Sequence, residues 1–332
     1  AALLALSDGN WEECPGDGRL GVGAGISNSA QDVTEAISDT VRDHGYRRTL
    51  PYFLTKAFTH STASEIGLIT GFQDNVMTFS TACTAGFNAL GYAAEEIRAR
   101  RIDAFLCTST DATITKYAFP YFCRAGLVSF SEEPPEKVSR PFDAKRDRGV
   151  LGEGAGCLLV ESLSHAQRRG ARVYAELLGF GTSGQGYGSE PESQIPAGMV
   201  TVMNDALASA QCSPGQIDYM GCHGVSDKNL DAWETRAVKQ VFGDDAYRIP
   251  MSSVKSMIGI PQSAAGTLQL IAAVKAMQQE MLPPTTNYEY PDPECDLDYI
   301  PNVPRRNRVN RALVLAHGFN GSDAAVVIGR IG

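Results

Sequence analysis

The stretch that decides the fold is NVMTFSTACTAGFNALG, residues 75–91, in which an apolar run leads to a cysteine and then to a helical pattern. The run over 75–82 has the composition of a β-strand. After it, Phe87, Leu90, Ala94 and Ile97 recur at steps of three and four residues, which predicts an amphipathic helix with one buried stripe. Cys83 therefore stands on a strand-to-helix turn.

The position of Cys83 allows two interpretations. A thiol on such a turn faces the exposed N–H groups of the helix, whose partial positive charge favours the thiolate and activates a nucleophile. The alternative is a buried structural cysteine, since free cysteine is among the most buried residue types. The position alone leaves both interpretations open.

Short apolar runs alternate with helical patterns along the whole chain, which is typical of an α/β protein with largely parallel, buried strands. The first nine residues resemble the end of a helix, and we expect the opening strand of the domain to precede them. Residues 129–138 resemble a loop. Two pseudo-repeated halves are predicted, 1–162 and 163–332, with no flexible linker between them. The predicted strands are 102–108, 152–161, 173–178, 217–222, 249–254, 312–316 and 324–329, and the further helices are 199–210, 230–242 and 264–277.

Composition narrows the class of protein. The formal charge of −9 and the pI near 5.1 argue against a nucleic-acid partner. The eight cysteines are scattered without CxxC pairs, which favours a reducing compartment, the cytoplasm, over a disulfide framework or a zinc site. No apolar stretch approaches the roughly 18 residues that a membrane helix needs. These features indicate an ordinary enzyme that binds neither membrane nor metal.

Two glycine-rich strings, 21–25 and 152–156, resemble phosphate-binding loops. Neither completes GxGxxG before a helix, and neither carries the lysine of a P-loop. We therefore expect both strings to allow close backbone packing.

Three polar side chains follow predicted strands at the point where each strand ends: Cys83, His223 and Lys255. Because the carboxyl ends of parallel strands gather at one edge of a sheet, these side chains are predicted to converge. A cysteine within reach of a histidine is the minimal arrangement for thioester chemistry, in which a thiolate attacks and a hydrogen bond stabilises the oxyanion or enolate. A structural histidine is the alternative for His223.

At these residues the chain resembles the β-ketoacyl-acyl-carrier-protein synthases, the elongating condensing enzymes of fatty-acid and polyketide synthesis in the thiolase superfamily. The resemblance covers essentially the whole chain. One departure lies in the middle motif, where Arg148-Gly149 replaces the usual Gly-Phe. The matching segments are TACTAG (81–86), SRPFDAKRD (139–147), LGEGAG (151–156), the His223-Gly pair with Asp231 and Glu234, VKSMIG (254–259), PPTTN (283–287) and PDPECDLDY (291–299).

The resemblance implies a thiolase fold, with two α/β halves in a layered αβαβα arrangement, that forms a homodimer or a ketosynthase-like heterodimer. It also implies that an acyl chain passes from the phosphopantetheine of an acyl carrier protein to the cysteine. A malonyl thioester then loses carbon dioxide, and its enolate attacks the acyl-enzyme. The chain itself would bind no cofactor, because its substrates arrive on the carrier.

The same resemblance implies a role for each matching residue. Cys83 would be the nucleophile, and the backbone N–H groups of Cys83 and Phe319 would form an oxyanion hole. His223 would donate a hydrogen bond to the malonyl thioester carbonyl. Lys255 would pair with Glu234 and keep the histidine region electropositive, although a purely structural ion pair is an equal alternative.

Two departures concern the second histidine of the family, which follows the Lys-Ser-x-x-Gly motif. Ile260 stands at that position, and an aliphatic side chain cannot donate a hydrogen bond. In addition, the family's Phe-Gly-Phe-Gly-Gly loop reads His317-Gly-Phe-Asn320-Gly here. We hypothesise that His317 or Asn320 replaces the missing donor; the alternative is that His317 only fills the space of a phenylalanine.

Three functions therefore stay open. The first is an active ketosynthase with altered catalytic groups. The second is an acyltransferase that loads Cys83 without decarboxylation. The third is a non-condensing, chain-length-type subunit of a ketosynthase heterodimer.

Overall fold

A computed structural model describes residues 1–12, 16–28, 30–184, 197–319 and 321–331. Asn320, which the sequence analysis singled out, and Cys14, one of the eight cysteines, lie outside the described residues. The first half of the chain forms helices α1 (Ala2–Asp8), α2 (Gln31–His44), α3 (Tyr52–Ala57), α4 (Ser61–Thr70), α5 (Ala85–Arg98), α6 (Ala118–Arg124) and α7 (Pro135–Val138), and strands β1 (Leu20–Gly25), β2 (Asn75–Phe79), β3 (Ala104–Asp111) and β4 (Gly154–Glu161).

The second half alternates in the same way. Its helices are α8 (Leu163–Arg168), α9 (Ala197–Ser209), α10 (Lys228–Phe242), α11 (Lys255–Ile258) and α12 (Ala264–Gln279). Its strands are β5 (Glu176–Gly184), β6 (Tyr219–Gly221), β7 (Met251–Ser252), β8 (Met281–Leu282), β9 (Arg305–Arg306), β10 (Arg311–Gly318) and β11 (Ser322–Gly329).

Two mixed sheets repeat one topology. The first has the order β2-β1-β3-β4, and the second has the order β7-β6-β10-β11-β5. In each sheet the first three strands are parallel and the fourth is antiparallel to the third. Strand β5 pairs antiparallel with β11 and has no counterpart beside β4 within the described residues.

Helices α5 and α12 pack between the two sheets, with α1 and α4 outside the first sheet and α9 and α10 outside the second. The strands show this layering directly, because successive side chains point to opposite faces. In β3, Phe105 and Cys107 belong to the central core, whereas Ala104 and Leu106 belong to the outer core. The arrangement is αβαβα, as the sequence analysis expected.

Strand direction and some element bounds differ from the sequence-based prediction. Strands β4, β5 and β11 run antiparallel to their neighbours, so the sheets are mixed rather than largely parallel. Strand β2 is an edge strand whose Val76 and Met77 are exposed, so it is not buried. The predicted loop 129–138 ends in the short helix α7. Strand β5 begins at Glu176, three residues later than the start of the predicted strand 173–178.

The two glycine-rich strings allow close packing, as predicted. A side chain on Gly25 would come within 2.6 Å of the backbone carbonyl carbon of Ala85 at the start of α5. A side chain on Gly156 would lie 2.8 Å from the Thr267 methyl group in α12. These glycines let the central helices approach the first sheet.

Across the described ranges, no helix is both long and apolar enough to cross a membrane.

Candidate active site

The turn between β2 and α5 places Cys83 at the edge of the first sheet. Residues Ala82–Thr84 form a single 3-10 turn, and Ala82 has a φ of 52°, a left-handed conformation that is unusual for alanine. Such strain is typical of functional turns, where the surrounding structure holds it in place. The Cys83 side chain is buried, with 7% of its surface exposed.

Burial determines the acidity of this thiol. It raises the pKa of Cys83 to about 11, since the thiolate loses its hydration. The Lys255 ammonium opposes this shift, and the Asp111 carboxylate adds to it. The sequence analysis expected the helix to favour the thiolate. The structure shows the burial that the second interpretation of Cys83 expected, and activation of the thiol by the helix stays a prediction.

The His223 loop follows β6 and is fixed by carboxylates from α10. Glu234 accepts hydrogen bonds from the backbone N–H groups of His223 (2.6 Å) and Gly224 (2.7 Å). Asp231 accepts from the N–H groups of Val225 and Phe142, each within 2.9 Å. The two carboxylates are three residues apart and so share one face of the helix. These hydrogen bonds hold the loop through its backbone N–H groups and do not involve the imidazole of His223.

Lys255 begins α11 and is 1% exposed. Its ammonium donates a hydrogen bond to the backbone carbonyl of His223. Lys255 and Glu234 therefore bind opposite backbone groups of His223, and the two side chains also attract each other electrostatically. Burial lowers the pKa of Lys255 and raises the pKa of Glu234.

The hairpin of β10 and β11 joins the cysteine turn to the histidine loop. The Ser322 hydroxyl donates to the Thr81 carbonyl at 2.9 Å, beside Cys83. The backbone N–H of His317 donates to Nδ1 of His223 at 3.1 Å. Cys83 and Lys255 interact electrostatically, as do Lys255 and His223. The structure thus brings together the three residues that were predicted to converge.

These contacts determine the protonation state and the tautomer of His223. Burial, Lys255 and His317 hold its pKa well below the usual value, so the imidazole is neutral. Since Nδ1 accepts a hydrogen bond, the proton of the neutral ring lies on Nε2. His223 is therefore a neutral hydrogen-bond donor.

His317 makes a contact that the sequence analysis missed. Its Nδ1 lies 2.7 Å from Oδ1 of Asp323, and both side chains are buried. The two residues are directly opposite each other in the antiparallel pairing of β10 and β11. The imidazole rings of His317 and His223 lie edge to face, with centroids 5.7 Å apart. The signal in the sequence was the short segment GFNG between the histidine and Ser322-Asp323, which pairs the two residues once a hairpin is assumed.

The remaining predicted residues take different positions. Ile260 is half-buried, and its N–H donates to the Val150 carbonyl at 2.8 Å. The space that a side chain on Gly149 would need is occupied by the Ile260 side chain. Phe319 lies at the tip of the hairpin and is 54% exposed.

A cavity of about 590 Å³ lies elsewhere, along the edge of β4 that faces away from β3. Its lining comes from α1, β4, α5, α8, α12, β11, the start of β5 and the segment before β5, and it includes none of the predicted site residues. The candidate site is therefore the side-chain cluster around Cys83 and His223, and this cavity lies apart from it.

Family models match both halves of the chain. The N-terminal domain of β-ketoacyl synthase matches residues 1–166, and the C-terminal domain matches residues 174–289. The chain belongs to the β-ketoacyl synthase family and has the thiolase fold.

Known proteins show the same relationship. The 3-oxoacyl-[acyl-carrier-protein] synthase 2 of Coxiella burnetii is 35% identical over 313 residues, which cover 94% of this chain and 76% of that protein. A solved type II polyketide synthase complex, an acyl-carrier protein with its ketosynthase bound to the hexaketide, is similar with a TM-score of 0.93 at 32% identity, covering all of this chain and 83% of that one. The ishigamide ketosynthase/chain length factor gives a TM-score of 0.90 at 29% identity, with 100% and 80% coverage.

Proposed function

We propose that this protein is a ketosynthase-like acyltransferase of fatty-acid or polyketide biosynthesis. Cys83 takes an acyl chain from the phosphopantetheine of an acyl carrier protein and condenses it with a malonyl-derived unit. The observation that carries the proposal is the His317–His223 hydrogen bond, which makes His223 a neutral Nε2–H donor beside the cysteine turn. The names of the similar proteins support the class of reaction and the carrier.

The chemistry proceeds in two stages. First, the Cys83 sulfur bonds to the acyl carbon, and the pantetheine sulfur leaves as a thiol. Second, the malonyl carboxylate leaves as carbon dioxide, and its bonding electrons form an enolate on the thioester. The Nε2–H of His223 stabilises the enolate oxygen, and the enolate carbon attacks the acyl carbonyl, which releases Cys83. The N–H groups of Cys83 and Phe319 are the oxyanion donors of this proposal.

Ile260 supports a second candidate, a chain that is acylated but does not decarboxylate malonyl groups. The family's other histidine is the second donor to the malonyl carbonyl, and an isoleucine offers none. Loss of one preorganised donor costs about 3 to 4 kcal/mol, or about a hundred- to a thousandfold in rate. A non-condensing, chain-length-type subunit is the third candidate, although it would have no need of the Cys83 turn.

Product analysis separates these candidates. Wild type and Cys83→Ala are incubated with acyl- and malonyl-carrier protein, and carbon dioxide and the lengthened product are measured. The proposal predicts both products from wild type and neither from the variant. An acyl adduct without carbon dioxide supports transfer alone. No adduct, with or without a partner subunit, identifies the architectural role and contradicts the proposal.

The proposed partner at the edge of the first sheet is a second thiolase-fold chain, identical or related. Among the described residues, strand β2 pairs only with β1 and exposes Val76 and Met77, with Leu68 and Ile69 of the preceding helix also exposed. An exposed apolar strand edge is a template for pairing with another chain. The solved ketosynthase/chain length factor pair supports a partner of the same fold.

Light scattering of the purified chain tests this interface. We expect a dimer for wild type and a monomer for Val76→Asp/Met77→Asp, with Tyr121→Asp as an exposed control that stays dimeric. A monomeric wild type that dimerises only with a chain-length-type subunit indicates a heterodimer. A dimer that survives the double substitution contradicts the proposed edge.

The seven described cysteines are all free thiols, and this supports the cytoplasm as the proposed compartment.

A further inference from the structure

The backbone of the His223 loop is held from two sides. On one side, carboxylates of α10 accept hydrogen bonds from the N–H groups of His223, Gly224 and Val225. On the other side, the Lys255 ammonium donates to the His223 carbonyl, and the Ser253 hydroxyl donates to the Gly224 carbonyl at 2.7 Å. The second side therefore includes Ser253, a residue that the sequence analysis did not single out.

Every polar group of Ser253 is engaged in this network. Its N–H donates to the Thr285 hydroxyl at 3.1 Å, and its carbonyl accepts from the Ser256 hydroxyl at 3.1 Å. Its own hydroxyl accepts from the Lys255 N–H at 3.3 Å and donates its single proton to Gly224. Because the Ser253 side chain is fully buried and its proton is committed, it can act only through its neighbours.

The local fold explains why this hydroxyl reaches the histidine loop. Strand β7 ends at Ser252, and α11 begins at Lys255. The bond from the Lys255 N–H to Ser253 spans two residues, which is the pattern of a serine turn. The hydroxyl that shapes the turn toward Lys255 is therefore the same one that binds the loop after β6.

Gly224 allows the close approach that this contact needs. Its φ is 26°, in the left-handed region that favours glycine. A side chain on Gly224 would come within 2.8 Å of Cβ of Ser253. The absence of a side chain lets the Gly224 carbonyl and the Ser253 hydroxyl meet directly.

The imidazole of His223 has its own anchor. The backbone N–H of His317 donates to Nδ1 at 3.1 Å, which leaves the proton of the neutral ring on Nε2. The direction of this Nε2–H group depends both on that bond and on the position of the backbone that carries the ring. A donor stabilises a developing negative charge most when it is already in place and needs no reorganisation.

We propose that Ser253 is a positioning residue, which holds the His223 backbone so that Nε2–H points at the malonyl thioester oxygen as the enolate forms. This inference rests on the proposed function. Ser253 transfers no proton and touches no substrate, and it acts through the Gly224 carbonyl. Acylation of Cys83 does not use the Nε2–H donor in the proposed scheme, so it should not depend on Ser253.

The test measures two rates in each protein: carbon dioxide release from malonyl-carrier protein, and acylation of Cys83 by an acyl-pantetheine thioester. Ser253→Ala removes the hydroxyl, and Ser253→Thr keeps it. Thr285→Val is a milder second variant, because it removes only the acceptor of the Ser253 N–H. Thr108→Val is the matched control, since Thr108 is another buried hydroxyl that donates to a backbone carbonyl, that of Gly156 at 3.1 Å in the first sheet.

We expect Ser253→Ala to lower kcat for decarboxylation about tenfold, with KM unchanged. The acylation rate of Cys83 should stay at the wild-type value. Ser253→Thr should recover most of kcat, Thr285→Val should show a smaller loss of the same kind, and Thr108→Val should match wild type in both rates.

A double-mutant cycle identifies the residue through which Ser253 acts. In a His223→Ala background, Ser253→Ala should cause no further loss of decarboxylation, because the donor that it positions is gone. A serine that only stabilises the fold would instead lower both rates together and would add its effect to that of His223→Ala.

Equal decarboxylation by wild type and Ser253→Ala overturns the positioning role and leaves the proposed function intact. A parallel loss of both rates, or a further loss in the His223→Ala background, also overturns it. If Ser253→Ala does not fold, Thr285→Val decides by the same comparison of the two rates. No carbon dioxide from wild type overturns the proposed condensation, and the role of Ser253 with it.

Discussion

The backbone N–H of His317 donates to Nδ1 of His223, and this bond determines which nitrogen of the His223 ring carries the proton. It leaves His223 as a donor at Nε2. It also fixes the strand that carries His317, whose ring then meets Asp323. The two imidazole rings lie edge to face in one site, with centroids 5.7 Å apart.

The buried thiol should react slowly at neutral pH. Because the pKa of Cys83 is raised to about 11, alkylation by iodoacetamide should rise about tenfold per pH unit between pH 7 and 10. Peptide mapping by mass spectrometry measures the rate at this site separately from the half-buried Cys123. A plateau in the Cys83 rate below pH 8 would mean that the thiol is already ionised, against this account.

Removal of the Glu234 carboxylate should destabilise the fold through the His223 loop. Glu234→Gln places an amide against two backbone N–H groups that now share one acceptor oxygen, and we expect a loss of about 2 to 4 kcal/mol in the free energy of unfolding. Urea denaturation measures it. Glu95→Gln removes an exposed partner of Arg98 and should change the same quantity by less than about 1 kcal/mol. Similar losses of unfolding free energy in both variants would refute the role of the buried Glu234 carboxylate in holding the His223 loop.

Asp231 gives a prediction for the pH dependence of stability. Burial raises its pKa to about 6, so the folded protein holds this proton more tightly than the unfolded chain does. The contribution of Asp231 to stability is therefore present below pH 4 and lost as the pH rises from about 4 to about 6. Relative to Asp231→Asn, wild type should lose up to about 3 kcal/mol across that window in urea titrations. A difference that grows with pH would contradict the raised pKa.

The Ser322 tether should hold the hairpin against the cysteine turn. Ser322→Ala removes the bond to the Thr81 carbonyl and should cost about 1 kcal/mol. Hydrogen exchange of residues 81–84 should become faster, as read by mass spectrometry. Ser38→Ala, on the exposed helix α2, is the control, and unchanged exchange at the turn in Ser322→Ala would exclude the tether.

The sequence predicted the parts of the site that depend on local patterns. The strand–Cys83–helix turn, the strand ends at His223 and Lys255, and the layered α/β class all follow from short-range periodicity and were confirmed by the structure. Strand direction was missed for β4, β5 and β11, because apolar runs look alike whether they pair parallel or antiparallel. Helix α2 was missed as well, since none of its described side chains is buried.

Other features depend on tertiary contacts that no sequence window contains. The raised pKa of Cys83 comes from the layers that cover the turn. The His317–Asp323 contact requires the register of β10 and β11. The hydrogen bond from the His223 backbone to Glu234 depends on how α10 packs against the loop.

The central claim is that Cys83 carries the acyl group, and peptide-resolved mass spectrometry after incubation with acyl-carrier protein tests it most directly. The account predicts one acyl adduct in wild type, located on Cys83, and none in Cys83→Ala. An adduct on another residue, or an adduct that persists in Cys83→Ala, would contradict it.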